Sequence, residues 1–286
     1  THVFNPSAFT LTVFSLTLIL TGASHITWGQ DIAITQFYPP HMYLFLFLVA
    51  LPGQYLFGVT TMTMSAVVTT YVFGLVYYAV TGTYYFFDSY IPIAVFLGMH
   101  LLFTDPSTSP RTELGRMIFG ALYGLSTIAL YALLGRFGLP AFYDKLLQVP
   151  LLNVSIRAID RLVRSDALHR FDPGSIARSL SGRRRNLAYI SVWVIVFAIM
   201  SAAQGVGDRH PGQWIPFWQY ACGQDRTHAC QYLSQLHSVH CRTGSGWSCN
   251  ELGILQADKE QNRGAAFVSI ERGCNLGFQP ACANAE

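Results

Sequence analysis

Ser181-Gly-Arg-Arg-Arg-Asn-Leu-Ala-Tyr-Ile-Ser-Val-Trp-Val-Ile-Val-Phe-Ala-Ile-Met200 decides the class of this chain. A hydrocarbon core about 30 Å thick is crossed by about 20 apolar helical residues, and no charge interrupts the run from Leu187 to Gly205. Three arginines stand directly before it, as the cytoplasmic flank of a membrane helix does. The whole composition agrees: 51% of the 286 residues are hydrophobic, only 12% are charged, and the mean hydropathy is +0.33. The first 110 residues hold no Lys or Arg and only three acids, Asp31, Asp88 and Asp105, too few to keep a soluble domain of that size in water. The sequence opens at Thr1 inside the apolar pattern, without the basic start of a signal peptide, so a true N-terminus is expected to precede it.

Working back from Leu187, apolar runs long enough to cross fall at about 8–24, 41–58, 60–80, 84–103, 117–136, 142–159 and 187–206. Asp88 and Pro92 interrupt the fourth. Asp144, Lys145, Pro150 and Arg157 interrupt the sixth, for which an interfacial amphipathic helix is the alternative. The stretch Arg157 to Arg185 holds eight Arg against Asp160, Asp166 and Asp172, which makes it cytoplasmic. Counting crossings backward places Arg111 and Arg116 on the same side and the cation-free stretches 25–40 and 82–90 on the other, and the sixth span is needed for that parity. The residues of 164–186 form a turn-rich basic linker, a topology signal that also suits anionic lipid headgroups. Trp28, Tyr38, Tyr43, Tyr84, Tyr85 and Tyr90 gather near the outer interface and read as an aromatic belt.

All six cysteines follow residue 221, as Cys222 and Cys230, Cys241 and Cys249, and Cys274 and Cys282, each pair with seven residues between. Structural zinc pairs are separated by about two to four residues, so His228, His237 and His240 do not turn these pairs into a metal site. Seven suits a helix-turn-helix clasp, the first Cys ending one helix and the second lying about a turn into the next. Residues 208–286, with six basic and seven acidic residues, therefore read as a separate, nearly neutral domain in an oxidising compartment. That agrees with the outside placement from the arginine count. The fold expected is all-α: a polytopic membrane bundle of about seven spans in all, six of them within 1–163, a basic linker (164–186), the last transmembrane helix (187–206) and a small disulfide-stapled helical repeat domain (208–286).

Cys249-Asn-Glu-Leu-Gly-Ile-Leu255, Gly264-Ala-Ala-Phe-Val-Ser-Ile-Glu-Arg-Gly-Cys274 and Ala281-Cys282 resemble cysteine-rich Sel1-like repeats. The resemblance implies antiparallel helix pairs with a disulfide in each repeat, and a role in protein interaction. The short spacing between the first two Cys pairs departs from the family and truncates the array. In the bundle, His2-Val-Phe-Asn-Pro-Ser-Ala-Phe9, Phe103-Thr-Asp-Pro-Ser-Thr-Ser-Pro-Arg-Thr-Glu-Leu-Gly-Arg-Met-Ile-Phe-Gly-Ala-Leu-Tyr-Gly124 and Val149-Pro-Leu-Leu-Asn-Val-Ser-Ile-Arg-Ala-Ile-Asp-Arg161 resemble the family of the Rnf complex D subunit. The B subunit of the sodium-pumping NADH:quinone oxidoreductase belongs to the same family. This resemblance implies a subunit of a membrane electron-transfer complex and a flavin joined through phosphate to a Thr in a Ser-Gly-Ala-Thr motif. That motif is missing here. Thr60-Thr-Met-Thr-Met-Ser-Ala-Val-Val-Thr-Thr70 stands nearest to it, and its hydroxyls read as helix-packing or back-bonding groups. No covalent FMN is expected.

The candidate cofactor residues are Thr104, Asp105, Ser107 and Thr108, a polar turn at a membrane interface. It either caps two helices or holds a non-covalent flavin or quinone. Haem ligation by His25, His41 and His100 is disfavoured, because the first two map to the outer edge and His100 near the inner one. The leading expectation is an accessory subunit of an electron-transfer complex in a bacterial cytoplasmic membrane. Its partners are other subunits, lipids and a periplasmic protein docked by 208–286, with no nucleic acid, and with no catalytic or metal site in the chain itself. An active redox subunit comes second. A small-solute or ion permease comes third, since no paired charge is apparent inside the spans.

Overall fold

The computed structural model describes residues 3–27, 41–81, 85–86, 89–137, 139–176, 180–204, 215–223, 229–242, 244 and 246–260. Every regular element among them is helical. The chain forms two compact units, Thr1–Val72 with Ile91–Asp208, and Phe73–Tyr90 with Arg209–Glu286.

In the first unit, α1 (Pro6–Leu20) starts where Asn5 caps it: the Asn5 Oδ1 accepts from the Ala8 amide at 3.2 Å, and Pro6 occupies the first turn, where no amide is needed. Helix α2 (His41–Phe57) ends at Gly58, whose φ of +65° suits the left-handed stop that glycine takes without strain. Helix α3 (Thr60–Thr81) follows. Pro92 precedes α4 (Ile93–Leu97), which runs into a π-turn over Gly98–Leu102. Helix α5 (Glu113–Arg136) is capped by Thr112, whose Oγ1 accepts from the Gly115 amide at 3.1 Å. A 3-10 turn (Ala141–Lys145) leads into α6 (Gln148–Val163), which carries Pro150 in its first turn. Two four-residue helices, Asp166–His169 and Pro173–Ile176, precede α7 (Gly182–Gln204).

Three of these helices, Thr60–Thr81, Glu113–Arg136 and Gly182–Ala203, are long and apolar enough to cross a membrane, and Pro6–Leu20, His41–Phe57 and Ile93–Leu102 are apolar but shorter. Where the sequence predicts a span over 84–103, the described helix is only Ile93–Leu102, because Pro92 has no amide to extend a helix backward. Where it predicts one over 142–159, helix α6 begins only at Gln148, with the 3-10 turn before it.

The surface of the first unit is apolar, unlike that of a water-soluble bundle, and small polar side chains are buried beside an apolar core. Phe9, Phe14, Phe45, Leu48, Val49, Val192, Ile195 and Ile199 are exposed, whereas Thr12, Ser15, Gln54, Thr60, Thr61 and Thr63 are buried. Apolar side chains facing outward with small polar ones between helices is the arrangement lipid selects. Helices α3 and α5 approach through Gly120 and Gly124: a Cβ on Gly120 would collide with the Met62 carbonyl oxygen, and one on Gly124 would lie 2.9 Å from the Ala66 oxygen. The chain is a membrane protein built on this close helix packing.

In the second unit, α8 (Ile215–Gly223), α9 (Ala229–Arg242) and α10 (Gly246–Glu260) follow one another. Disulfides Cys222–Cys230 and Cys241–Cys249, with Cα atoms 4.5 and 4.6 Å apart, join α8 to α9 and α9 to α10. In each, the first Cys lies in the last turn of one helix and the second in the first turn of the next. Cys274 and Cys282 lie outside the described residues. Trp218, Leu233 and Leu236 form the interior, and the Tyr232 hydroxyl donates to the Tyr85 carbonyl at 2.6 Å.

Candidate functional site

The four predicted site residues stand together in one turn, between the π-turn and α5. The Thr104 hydroxyl donates to the His100 carbonyl at 2.9 Å. Both Asp105 oxygens accept from the Ser107 hydroxyl at 2.8 Å, Oδ1 also accepts the Ser107 amide at 2.9 Å, and Oδ2 the Thr108 hydroxyl at 3.0 Å. Asp105 thus closes a compact turn of its own, the Asx geometry that competes with ligand binding for the same oxygens.

Beyond that turn a second polar group forms, which the sequence reading passed over. Glu113 accepts from the Thr61 hydroxyl at 2.8 Å and pairs with Arg116 at 3.0 Å. The Arg116 guanidinium also donates to the carbonyls of Gly58 at 2.6 Å and Pro110 at 3.1 Å. Asp160 accepts the Arg111 amide and Asp172 the Leu114 amide, each at 3.0 Å. One end of the bundle is thereby bound into a single network from α3, α5, α6 and the segment after α6. Glu113 lies in the stretch Phe103–Gly124 and Asp160 in Val149–Arg161, the two stretches that carry the resemblance in this part of the bundle. Glu113 and Arg116 are also three apart on one helix, a local pairing, whereas Thr61 and Asp160 lie about fifty residues from the groups they bond, and nothing local announces those contacts. In α3 the Ser65 hydroxyl bonds across to the Met117 carbonyl at 2.6 Å, and Thr70 bonds back to Ala66 at 3.0 Å, the packing and back-bonding roles expected of this stretch.

His100 is buried, and its Nδ1 lies 2.8 Å from the Phe96 carbonyl. Its ring sits among Phe96, Phe47 and Trp193, at centroid distances of 4.1, 6.3 and 6.2 Å. Trp193 stands six residues into the apolar run of α7, and the His100 carbonyl accepts from Thr104 one turn on. The Nε2 of His100 and the Nε1 of Trp193 are both buried without a hydrogen-bond partner. His41 is exposed, and the side chain of His25 lies outside the described residues. Two members of the expected aromatic belt turn inward instead: Tyr43 is 4% and Tyr90 8% exposed, the former because its hydroxyl reaches the Ile91 carbonyl at 2.7 Å.

The expectation that no charges pair inside the spans is also corrected. Asp144 and Lys145 are both buried, 3.8 Å apart, on a segment bonded to the middle of α5. Among the described residues no group of three or more His, Cys, Asp or Glu is placed to hold a metal ion.

The arrangement as a whole belongs to the class of helical membrane proteins. Comparison of the chain with family models, with curated proteins and with solved structures gives no match.

Proposed function

We propose that this chain is an accessory subunit of a multisubunit electron-transfer complex in a bacterial cytoplasmic membrane, without covalent flavin, docking an extracytoplasmic protein through residues 208–286. In this reading the bundle crosses about seven times, residues 164–186 are cytoplasmic, and the cysteine domain is periplasmic. The supporting observation is the turn at Thr104–Thr108, the residues of the strongest motif resemblance, whose polar groups are spent on one another and on backbone. Such a turn braces two helices. The clasped helices α8 to α10 supply a preorganised surface, which lowers the ordering cost of binding a partner.

Purification of the full chain from native membranes in mild detergent, with mass spectrometry of what accompanies it, tests the proposal. Redox subunits that co-purify, and an extracytoplasmic one that dissociates after a membrane-impermeant reductant, support it; a chain that purifies alone overturns it. The second reading, a redox subunit holding flavin or quinone non-covalently, is favoured by the unpartnered ring nitrogens of His100 and Trp193. An optical spectrum lost in His100→Phe or Asp105→Ala decides for that alternative.

A further inference from the structure

Between α5 and α6 the chain does not cross as a helix. It returns as a segment whose regular piece, among the described residues, is the 3-10 turn Ala141–Lys145, and α6 starts at Gln148. Irregular backbone inside a membrane bundle persists where neighbouring side chains satisfy it, and they do so here. The Tyr123 hydroxyl, near the middle of α5, donates to the Lys145 carbonyl at 2.9 Å, and Thr12, near the middle of α1, to the Leu146 carbonyl at 2.8 Å. Gly98 makes room for the segment, since a Cβ there would stand 2.9 Å from the Tyr123 hydroxyl and 3.5 Å from the Lys145 Cβ. Three helices are therefore fitted, at half their length, around the end of the 3-10 turn and the residue after it.

That piece carries two charges. The side chains of Asp144 and Lys145 are 3% and 8% exposed. A buried ion pair kept for stability has short, charge-assisted hydrogen bonds, at roughly 2.7–2.9 Å. Here the Lys145 Nζ is 3.8 Å from Asp144 Oδ1, while it donates at 2.6 Å to the Phe142 carbonyl and sits 4.0 Å from the centre of the Phe142 ring. The Asp144 Oδ1 has no hydrogen-bond partner. Gln148, which begins α6, donates through Nε2 to Thr127 at 2.8 Å and leaves Oε1 unpartnered as well. A carboxylate oxygen without a donor in a dry interior is costly, and adding a proton removes that cost.

We infer that the buried Asp144–Lys145 pair, at the end of the short 3-10 turn between α5 and α6, is a proton-exchange site, at which Asp144 takes up one proton on Oδ1 and returns it. An O–H bond forms between a proton delivered from water and Oδ1, no electrons move, and the pair changes from neutral to singly positive. The other titratable groups on these elements are Tyr143 on the segment itself, Tyr123 at the Lys145 carbonyl with Glu113, Arg116, Tyr131 and Arg136 elsewhere on α5, His100 as the sole one on Ile93–Leu102, and Arg157, Asp160 and Arg161 on α6, with none on α1. Gln148 heads α6 with an amide, whose free oxygen is of the kind that accepts from a protonated carboxyl.

Infrared difference spectroscopy on the purified full-length protein tests this as the pH of the film is cycled. The expected result is a carbonyl band of a protonated carboxylic acid that grows on acidification, reverses, shifts when aspartate carboxyls are isotope-labelled, and disappears in Asp144→Asn. In Lys145→Met the midpoint of that band moves by more than about one pH unit, tenfold in proton affinity, because the neighbouring ammonium is gone. Labelling needs no variant, so failure of Asp144→Asn to fold leaves the test standing. No label-sensitive reversible band in the wild-type protein overturns the inference. So does a band unchanged in Asp144→Asn, or a midpoint unmoved in Lys145→Met.

Discussion

Replacing Gly120 by alanine is the sharpest test of how the bundle is held together. The added methyl would collide with the Met62 carbonyl oxygen and stand 3.2 Å from the Ala66 amide nitrogen, both backbone atoms that no rotamer change can move. Overpacking of a tight interface costs about 1–3 kcal/mol, and a backbone collision belongs at the upper end of that range. Separating α3 from α5 also loosens the contact one turn on, where a Cβ on Gly124 would stand 2.8 Å from Thr70 Oγ1 and 2.9 Å from Ala66 O. Against this, alanine in place of glycine gains up to about 1 kcal/mol in a helix interior. The net is a loss of about 2 kcal/mol, or roughly thirtyfold in the folding equilibrium. The internal control is Gly135→Ala in the same helix, where nothing lies within 4 Å of the added methyl, so no packing cost is expected. Unfolding of the full chain in mixed micelles of increasing denaturing detergent, followed by far-ultraviolet circular dichroism, measures both. If Gly120→Ala is as stable as Gly135→Ala, close glycine packing does not join these helices.

Arg116→Met leaves the Glu113 carboxylate buried with only the Thr61 hydroxyl; removing one partner of a buried pair costs about 3–5 kcal/mol, and the same detergent titration reads it. Asp172→Ala removes the acceptor for the Leu114 amide at the start of α5, a capping loss of about 1 kcal/mol; faster hydrogen exchange at Leu114 and Gly115 reports it. The double variant Cys222→Ala/Cys230→Ala opens a link across a sequence separation of 8, worth about 2–3 kcal/mol in the chain-entropy account. Its expected signature is faster exchange throughout α8 and the start of α9, and unchanged protection in α5 refers the effect to the clasp.

The membrane class was legible because it depends on sums. Long apolar runs, the missing cations of the first 110 residues and the arginines before Leu187 need no knowledge of contacts. The clasps were legible because a disulfide joining successive helices is set by local spacing, and Cys222–Cys230 and Cys241–Cys249 follow it. Helix length was not. The residues of 84–103 are apolar enough to count as a span, but Pro92 sets where the helix starts, and Ile93–Leu102 turns into a π-turn that ends at Phe103. Tyr43 and Tyr90 carry the composition of an interfacial belt, yet long-range packing turns them inward.

The candidate site divides along the same line. Thr104, Asp105, Ser107 and Thr108 were found because four polar residues around one proline announce a turn, and a turn is local. Asp144 and Lys145 stood in the sequence only as interruptions of an apolar run, since a hydropathy sum assigns each charge its cost in lipid and nothing else. That sum is blind to what lowers the cost. Tyr123 and Thr12, 22 and 134 residues away from the carbonyls they bond, hold the end of the 3-10 turn in which the two charges sit beside each other. A charge that weakens the case for a span is, for that reason, the residue whose surroundings most need to be known: either the span is wrong, or the protein has arranged a solvent of its own around the charge. In this chain the second holds at the two charges, which lie buried in the 3-10 turn before α6.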